Sequence, residues 1–284
     1  MTPTERVDLF EAERARLKRL AYRYLGTVSD TDDVVQEAWL RFSGAQEVRD
    51  PKAFLSKVVT RLCLDRLKSA AYRHEEYVGE WLPEPFVETE DTSAALDISY
   101  AVMRSLEALT PEERAAFFLH DIFETPFDDI AETLKRTPAT CRKLAERART
   151  RLAGDTKRFA PKQADIAKFL NALELAISEN EEPLRQLLSD QVQFISDGGG
   201  KTQAARNIIR GDDFVARFLI GLVQKGTQRG QFAVKTVTIN DAPGMLVTLD
   251  GKLEVALAFD LDEAGQIGTF YAISNPDKLM HLSD

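Results

Sequence analysis

Phe127-Asp-Asp-Ile-Ala-Glu-Thr-Leu-Lys-Arg-Thr-Pro-Ala-Thr-Cys-Arg-Lys-Leu144 is the stretch on which the reading of the chain turns. Phe127, Ile130, Ala131 and Leu134 recur at helical spacing, so the first eight residues predict a short amphipathic helix. Lys135-Arg-Thr-Pro138 is a tight turn. Thr137 then offers a cap, and Pro138 falls at the first helical position, where its missing N–H costs nothing. The second helix is basic: Arg142, Lys143, Arg147, Arg149 and Arg151 stand against Glu146 alone. Two helices joined by a short turn, the second one basic, is the helix-turn-helix pattern.

Upstream, Thr110-Pro-Glu-Glu113 has the cap, proline and acid order of another helix start. Residues 5–73 also read as helices. Phe10, Leu17, Leu20 and Tyr24 recur on one face. A second helix opens at Ser29-Asp-Thr-Asp-Asp33 and carries Val34, Val35, Ala38, Trp39 and Phe42. A third, after Asp50-Pro51, carries Phe54, Leu55, Val58, Val59 and Leu62. Between these blocks Trp81-Leu-Pro-Glu-Pro-Phe86 cannot be helical throughout, because each proline pushes its predecessor to extended geometry. Trp81, Leu82 and Phe86 are costly to leave in water, so this linker is expected to pack against a folded domain.

Downstream the pattern changes. Helices are expected near 165–177, 181–188 and 211–223, with a strand at Val192–Ser196. Leu249-Asp-Gly-Lys252 is a hairpin turn. Leu253, Val255, Leu257, Phe259 and Leu261 alternate and predict a strand with one buried face, and Gly265–Ser274 is its partner. Helices followed by an antiparallel meander indicate an α+β domain.

The bulk numbers set limits. The 284 residues suit roughly two domains, and 44% hydrophobic with 29% charged is a globular profile. No apolar run approaches the ~20 residues of a membrane span. The start Met-Thr-Pro-Thr-Glu-Arg is unlike a signal peptide, so a cytoplasmic protein is expected. Cys63 and Cys141 sit in helical patterns and are expected to be packing residues. With three scattered histidines, neither a metal site nor a cofactor is expected. The net charge of −9 argues against nucleic acid only if charge is averaged over the chain; local fields decide binding.

Ser196-Asp-Gly-Gly-Gly-Lys-Thr202 resembles the end of a phosphate loop. That loop requires Gly-x-x-x-x-Gly-Lys-[Ser/Thr]. The first glycine would fall at Ile195, and no long apolar helix follows Thr202. A turn after the strand is the simpler reading.

The helical blocks together resemble bacterial sigma factors. Asp30–Phe42 resembles their core-binding helix, and Ala53–Lys68 the helix after it. Leu109–Leu119 and Phe127–Leu152 resemble their fourth conserved region. The small unit is similar to the extracytoplasmic-function (ECF) group. Trp81-Leu-Pro-Glu-Pro85, Asp197-Gly-Gly-Gly-Lys201 and Asn275-Pro-Asp-Lys-Leu279 resemble signatures of the SigJ-type subgroup, which carries a C-terminal SnoaL-like domain. The resemblance implies a multidomain chain: two all-α sigma domains, then an α+β cone-shaped domain. Its divisions are 1–73 (region 2), 74–98 (acidic linker), 99–155 (region 4), 156–164 (second linker) and 165–284 (regulatory domain).

The resemblance also implies roles. RNA polymerase core would be met by Asp32, Asp33, Gln36 and Glu37. Promoter DNA would be met by Arg61, Arg66 and Lys68 at the minus-ten element, with the loop from Gly44 to Lys52 capturing an unstacked base. Thr140, Arg142, Lys143, Arg147 and Arg149 would serve the minus-thirty-five element. The C-terminal domain would replace a separate anti-sigma protein. Its contacts would run through Trp81, Pro83, Pro85, Asp197, Gly198, Gly199, Gly200, Lys201, Asn275, Pro276, Asp277, Lys278 and Leu279, and its pocket is a place for a small-molecule ligand. No enzyme activity is expected. Two other classes stay open on residues alone: a SnoaL-like enzyme, and a ligand-sensing regulator, each fused to a DNA-binding half.

Overall fold

In a computed structural model, all residues are described except 1, 75–76, 88–99, 108, 154–158, 179, 203 and 283–284, together with the side chains of 68, 70–74, 100–102 and 153. Much of the acidic linker and the start of the second linker therefore lie outside the described residues, as does the Lys68 side chain. The chain divides into two units: Met1–Glu75 with Val102–Asp155, and Glu76–Ala101 with Thr156–Asp284.

The first unit is helical. α1 (Pro3–Leu25) begins with a capping box, in which Thr2 accepts from the Glu5 N–H and Glu5 accepts in return, and it ends at Gly26 in the left-handed conformation. α2 (Val28–Gly44) and α3 (Pro51–His74) pack against it. Leu17, Leu20, Val34, Ala38, Phe42, Leu55 and Val59 form the shared core. α4 (Tyr100–Leu106) precedes α5 (Pro111–Phe117), which opens with the Thr110/Glu113 capping box and runs into a π-helical turn, Phe118–Ile122. α6 (Phe127–Leu134) and α7 (Pro138–Ala153) are the helix-turn-helix, turned at Lys135 with φ 54°. Cys63 and Cys141 are buried thiols, and burial pushes the Cys63 thiol well up.

The second unit is α+β. α8 (Gln163–Ile177), α9 (Glu182–Leu187) and α10 (Asp212–Arg229) cover one face of a six-stranded sheet. Its strands are β1 (Leu188–Asp197), β2 (Ile209–Arg210), β3 (Phe232–Ile239), β4 (Ala242–Leu249), β5 (Lys252–Leu261) and β6 (Ile267–Ile273), in the order β2-β1-β6-β5-β4-β3. Only the β1–β6 pairing is parallel. Asp250 and Gly251 take φ 50° and 79°, the type I′ geometry that matches strand twist. Asn240 and Asp241 repeat it between β3 and β4. The short helix α11 (Pro276–Leu279) follows β6.

Two expectations change. β5 was expected to bury one face, yet Ala256, Ala258 and Asp260 on the other face are buried as well. A bulge at Glu254, between Leu253 and Val255, breaks the alternation, placing Leu253 with Leu82, Ile195, Ile239, Tyr271 and Leu279 on the outer face. Linker and C-terminus cover that face. The inner face, where an apolar pocket was expected, holds Phe169, Phe194, Phe259 and Phe270 ring against ring, with centroids 5.3–5.9 Å apart. Among the described residues a cleft of about 60 Å³ lies instead at the glycine loop, lined by Val78, Ser196, Gly198, Thr202 and Arg206.

Phe270 is fully buried among three other rings. Phe270→Ala should cost about 3–5 kcal/mol, read by urea unfolding. Phe214→Ala, 66% exposed on α10, should stay within about 0.5 kcal/mol of the parent.

Candidate functional site

The candidate surface of the first unit is built on α2, α3 and α7. On α7, Cys141, Leu144, Ala145 and Ala148 face inward. This leaves Arg142, Lys143 and Arg147 exposed and Thr140 half-buried. The Thr140 N–H donates to Thr137 Oγ1 at 3.2 Å, so Thr137 caps the helix. The Arg142 guanidinium lies 5.5 Å over the Phe127 ring. Arg149 is held differently. It makes two bonds to the Asp121 carboxylate, at 2.7 and 3.1 Å, which raise its pKa and tie α7 to the π-helical turn.

On α2, Asp32, Asp33 and Gln36 are exposed and Glu37 is half-buried. Asp32 pairs with Lys18 at 2.6 Å and Glu37 with Arg41 at 2.9 Å. Such exposed pairs are worth up to about 1 kcal/mol and exchange readily. Arg66 bonds both Asp30 and Asp33. Burial works against its charge, but the two carboxylates outweigh burial and keep its pKa above the ordinary value. Asp33 and Arg66, assigned to polymerase and to DNA from the sequence, are thus partners of one another. Arg61 is half-buried and donates to the Glu132 carbonyl at 3.3 Å.

In the second unit, the Asp197 carboxylate gathers the linker. It is completely buried at the end of β1. Oδ1 accepts from the Tyr77 hydroxyl at 2.5 Å and the Gly199 N–H at 3.1 Å. Oδ2 accepts from the Leu82 N–H at 2.8 Å and Lys278 Nζ at 2.7 Å. Lys278 also donates to the Leu82 carbonyl. Its ammonium lies 4.1 Å over the Trp81 ring and 5.2 Å from the Tyr77 centroid. Two aromatic faces and two oxygens replace its water. Burial and the Asp197 charge both push the Tyr77 hydroxyl upward in pKa.

The other motif residues support this carboxylate. Gly199 sits at φ 57°, and a Cβ there would come within 2.3 Å of the Asn275 amide nitrogen. Asn275 donates to the Tyr77 hydroxyl at 2.9 Å and accepts from the Asp277 N–H at 3.1 Å, capping α11 with Pro276 in its first turn. Gly198 leads into the turn, and Gly200 takes φ 71° against Val78. Lys201 pairs with Asp277 at 2.5 Å at the surface. Pro83 and Pro85 are buried, the Pro85 carbonyl lies 2.9 Å from His281 Nε2, and Leu279 joins Leu82 in the outer apolar cluster. Phe86 and Asn240 then exchange bonds at 2.9 Å, through the Phe86 N–H to the Asn240 side chain and the Asn240 N–H to the Phe86 carbonyl.

Tyr77, Asn240 and His281 were not picked out from the sequence. Tyr77 stands outside the Trp-Leu-Pro-Glu-Pro run, and nothing in its spacing ties it to Asp197. Asn240-Asp241 was not read as a turn; that residue pair favours one, but a turn does not say what docks on it.

Asp197→Asn leaves the buried Lys278 ammonium without a countercharge, which should weaken the linker clamp by about 3–5 kcal/mol. In a Trp39→Phe background, Trp81 emission should shift to the red. Adding Lys278→Met should recover part of the loss.

Residues 9–73 match Sigma-70 region 2 and residues 99–152 match Sigma-70, region 4. ECF RNA polymerase sigma factor SigJ of Mycobacterium tuberculosis is 38% identical over 290 residues, spanning 96% of this chain and 92% of SigJ. The crystal structure of that organism's SigJ superposes with a TM-score of 0.78 at 35% identity, covering 96% of this chain and 98% of the other. The probable ECF sigma factor SigI of the same species is 36% identical over 152 residues, covering 50% of this chain and 52% of SigI. No helix among the described residues is long and apolar enough to cross a membrane. Region 2, region 4 and a C-terminal α+β domain recur in one order across nearly the whole length of SigJ, and the chain belongs to the ECF RNA polymerase sigma factors of the SigJ type.

Proposed function

We propose that this protein binds RNA polymerase core, directs initiation at promoters bearing minus-ten and minus-thirty-five elements, and is modulated in cis by its C-terminal domain through the linker. Sigma factors are initiation factors and not enzymes. The α2 acids Asp32, Asp33, Gln36 and Glu37 are the proposed contacts to core. Arg142, Lys143 and Arg147 on α7, with Thr140, are the proposed contacts at the minus-thirty-five element, and Arg149 contributes mainly by holding the helix. Arg61 and Arg66 on α3 are proposed for the upstream edge of the minus-ten element. Arg66 must then exchange its carboxylates for phosphates.

One observation carries the modulation: residues 77–87, which lie between the two helical halves in sequence, are built into the second unit by hydrogen bonds to a buried ion pair. The names of the two promoter elements set them about 25 base pairs apart, roughly 85 Å at ~3.4 Å per pair. A unit of about 130 residues has a radius of gyration near ~14 Å. α3 and α7 belong to one such unit, so reading both elements requires its halves to part. Residues 75–99 reach at most about 85 Å when extended at ~3.4 Å each, so the linker has little slack. A clamped 77–87 segment either travels with the C-terminal domain or must be released.

Run-off transcription with purified core polymerase and promoters selected from a random library tests this reading. Full-length protein, a version ending at Gly154 and one ending at Ser274 should all be compared. Promoter-specific transcripts whose yield differs among the three are expected. No transcript from any version would overturn the assignment, and equal yields would overturn modulation in cis. Arg147→Ala should weaken promoter binding for all sequences alike and lower the salt slope by about 1.

A further inference from the structure

Within the first unit, the α1–α3 half meets the α4–α7 half through α3 and the end of α1 on one side and α5, the π-helical turn and α6 on the other. Two kinds of contact make this seam. At one end the Arg114 guanidinium is buried, donating to the Tyr24 carbonyl at 2.6 Å and to the Leu106 carbonyl at 3.1 Å. The Tyr24 ring meets Phe118 edge to face at 5.1 Å. At the other end Glu132, on the first helix of the helix-turn-helix, pairs with Lys57 of α3, and its carbonyl accepts from Arg61. The Lys57 ammonium holds the Glu132 carboxyl below the ordinary range.

Between these ends the seam is imperfect. The Tyr24 and Thr60 hydroxyls are completely buried and meet one another without a hydrogen bond of normal geometry, and Arg61 Nε likewise has none among the described residues. A permanent interface satisfies its buried polar atoms, because leaving them dry forfeits their hydration. Lys57 and Arg61, one turn apart on α3 and half-buried, instead present two cations suited to phosphate. The opposing half meets them with a carboxylate at the surface, 70% exposed.

We propose that the Glu132 carboxylate is an internal stand-in for a DNA phosphate: it occupies Lys57 while the Glu132 carbonyl engages Arg61, holds the two helical halves closed, and is displaced when DNA takes α3. This is an autoinhibitory contact within the sigma halves, additional to the linker clamp. It rests on the reading of α3 as a phosphate-binding helix. Because the pair is exposed, salt screens it, and closure weakens as ionic strength rises.

The test uses the full chain with spin labels on the exposed Ser43 of α2 and Thr150 of α7, and a 20-base-pair duplex of fixed arbitrary sequence. Glu132→Gln should broaden the interlabel distances toward longer values and tighten duplex binding two- to fivefold, the range an exposed ion pair supports. Glu112→Gln is the control. It removes the same charge from the same half, but its partner is Arg136, at 2.8 Å, and not α3. Lys57→Met should open the halves as Glu132→Gln does, and the double variant should open no further. Equal behaviour of Glu132→Gln and Glu112→Gln in both readouts would overturn the proposal, as would additive opening in the double variant. Loss of promoter-specific transcription in every version would instead sink the promoter reading, while leaving the distance change standing.

Discussion

The Asp197–Lys278 ion pair is the constraint around which the second unit is arranged. A carboxylate and an ammonium out of water are tolerable only if every remaining lone pair and proton is used. Asp197 meets this with four donors, and Lys278 with two oxygens and two aromatic faces. Each partner comes from a different part of the chain. β1 supplies Asp197, the glycine turn supplies one N–H, α11 supplies the lysine, and the linker supplies Tyr77, Trp81 and Leu82. The pair therefore forms only when strand, turn, terminal helix and linker are assembled together. That makes it a reporter of linker position as well as a source of stability.

The first unit is put together from weaker terms. Its apolar core is ordinary helix packing, and much of its charge is taken up by pairs along the surface. Asp33 with Arg66, Asp121 with Arg149, and Lys57 with Glu132 each join side chains that would otherwise be open to a macromolecular partner. Pairs of this kind cost little to exchange. A factor that must bind, read and release two partners is served by contacts that hold a resting form without locking it. The contrast with the buried pair is physical: an exposed pair keeps water as a competitor, and a buried one does not.

Local pattern made many elements legible. The capping box at Thr110, the proline at the start of α7 and the Asp-Gly hairpin each act within four residues, so their chemistry can be read directly. The α2 acids and the exposed α7 bases likewise follow from helical spacing. The role of the glycine run was legible only through resemblance. Residue pattern excluded a phosphate loop and predicted a turn, but did not indicate that Gly199 must lack a side chain to admit Asn275. The expected single buried face of β5 failed because alternation reports the chain's own strand and not what later covers its reverse side.

By itself the sequence determined where most helices begin, the helix-turn-helix, the meander and the order of the domains, because hydrophobic period, caps and turn residues act over a few residues; the end of α10, expected near Val223, lies at Arg229. Tertiary structure decided which charges meet. Tyr77 to Asp197, Lys278 to Leu82 and Glu132 to Lys57 join residues separated by 120, 196 and 75 positions. Partners at such distances are chosen by packing of whole elements, which no local spacing records.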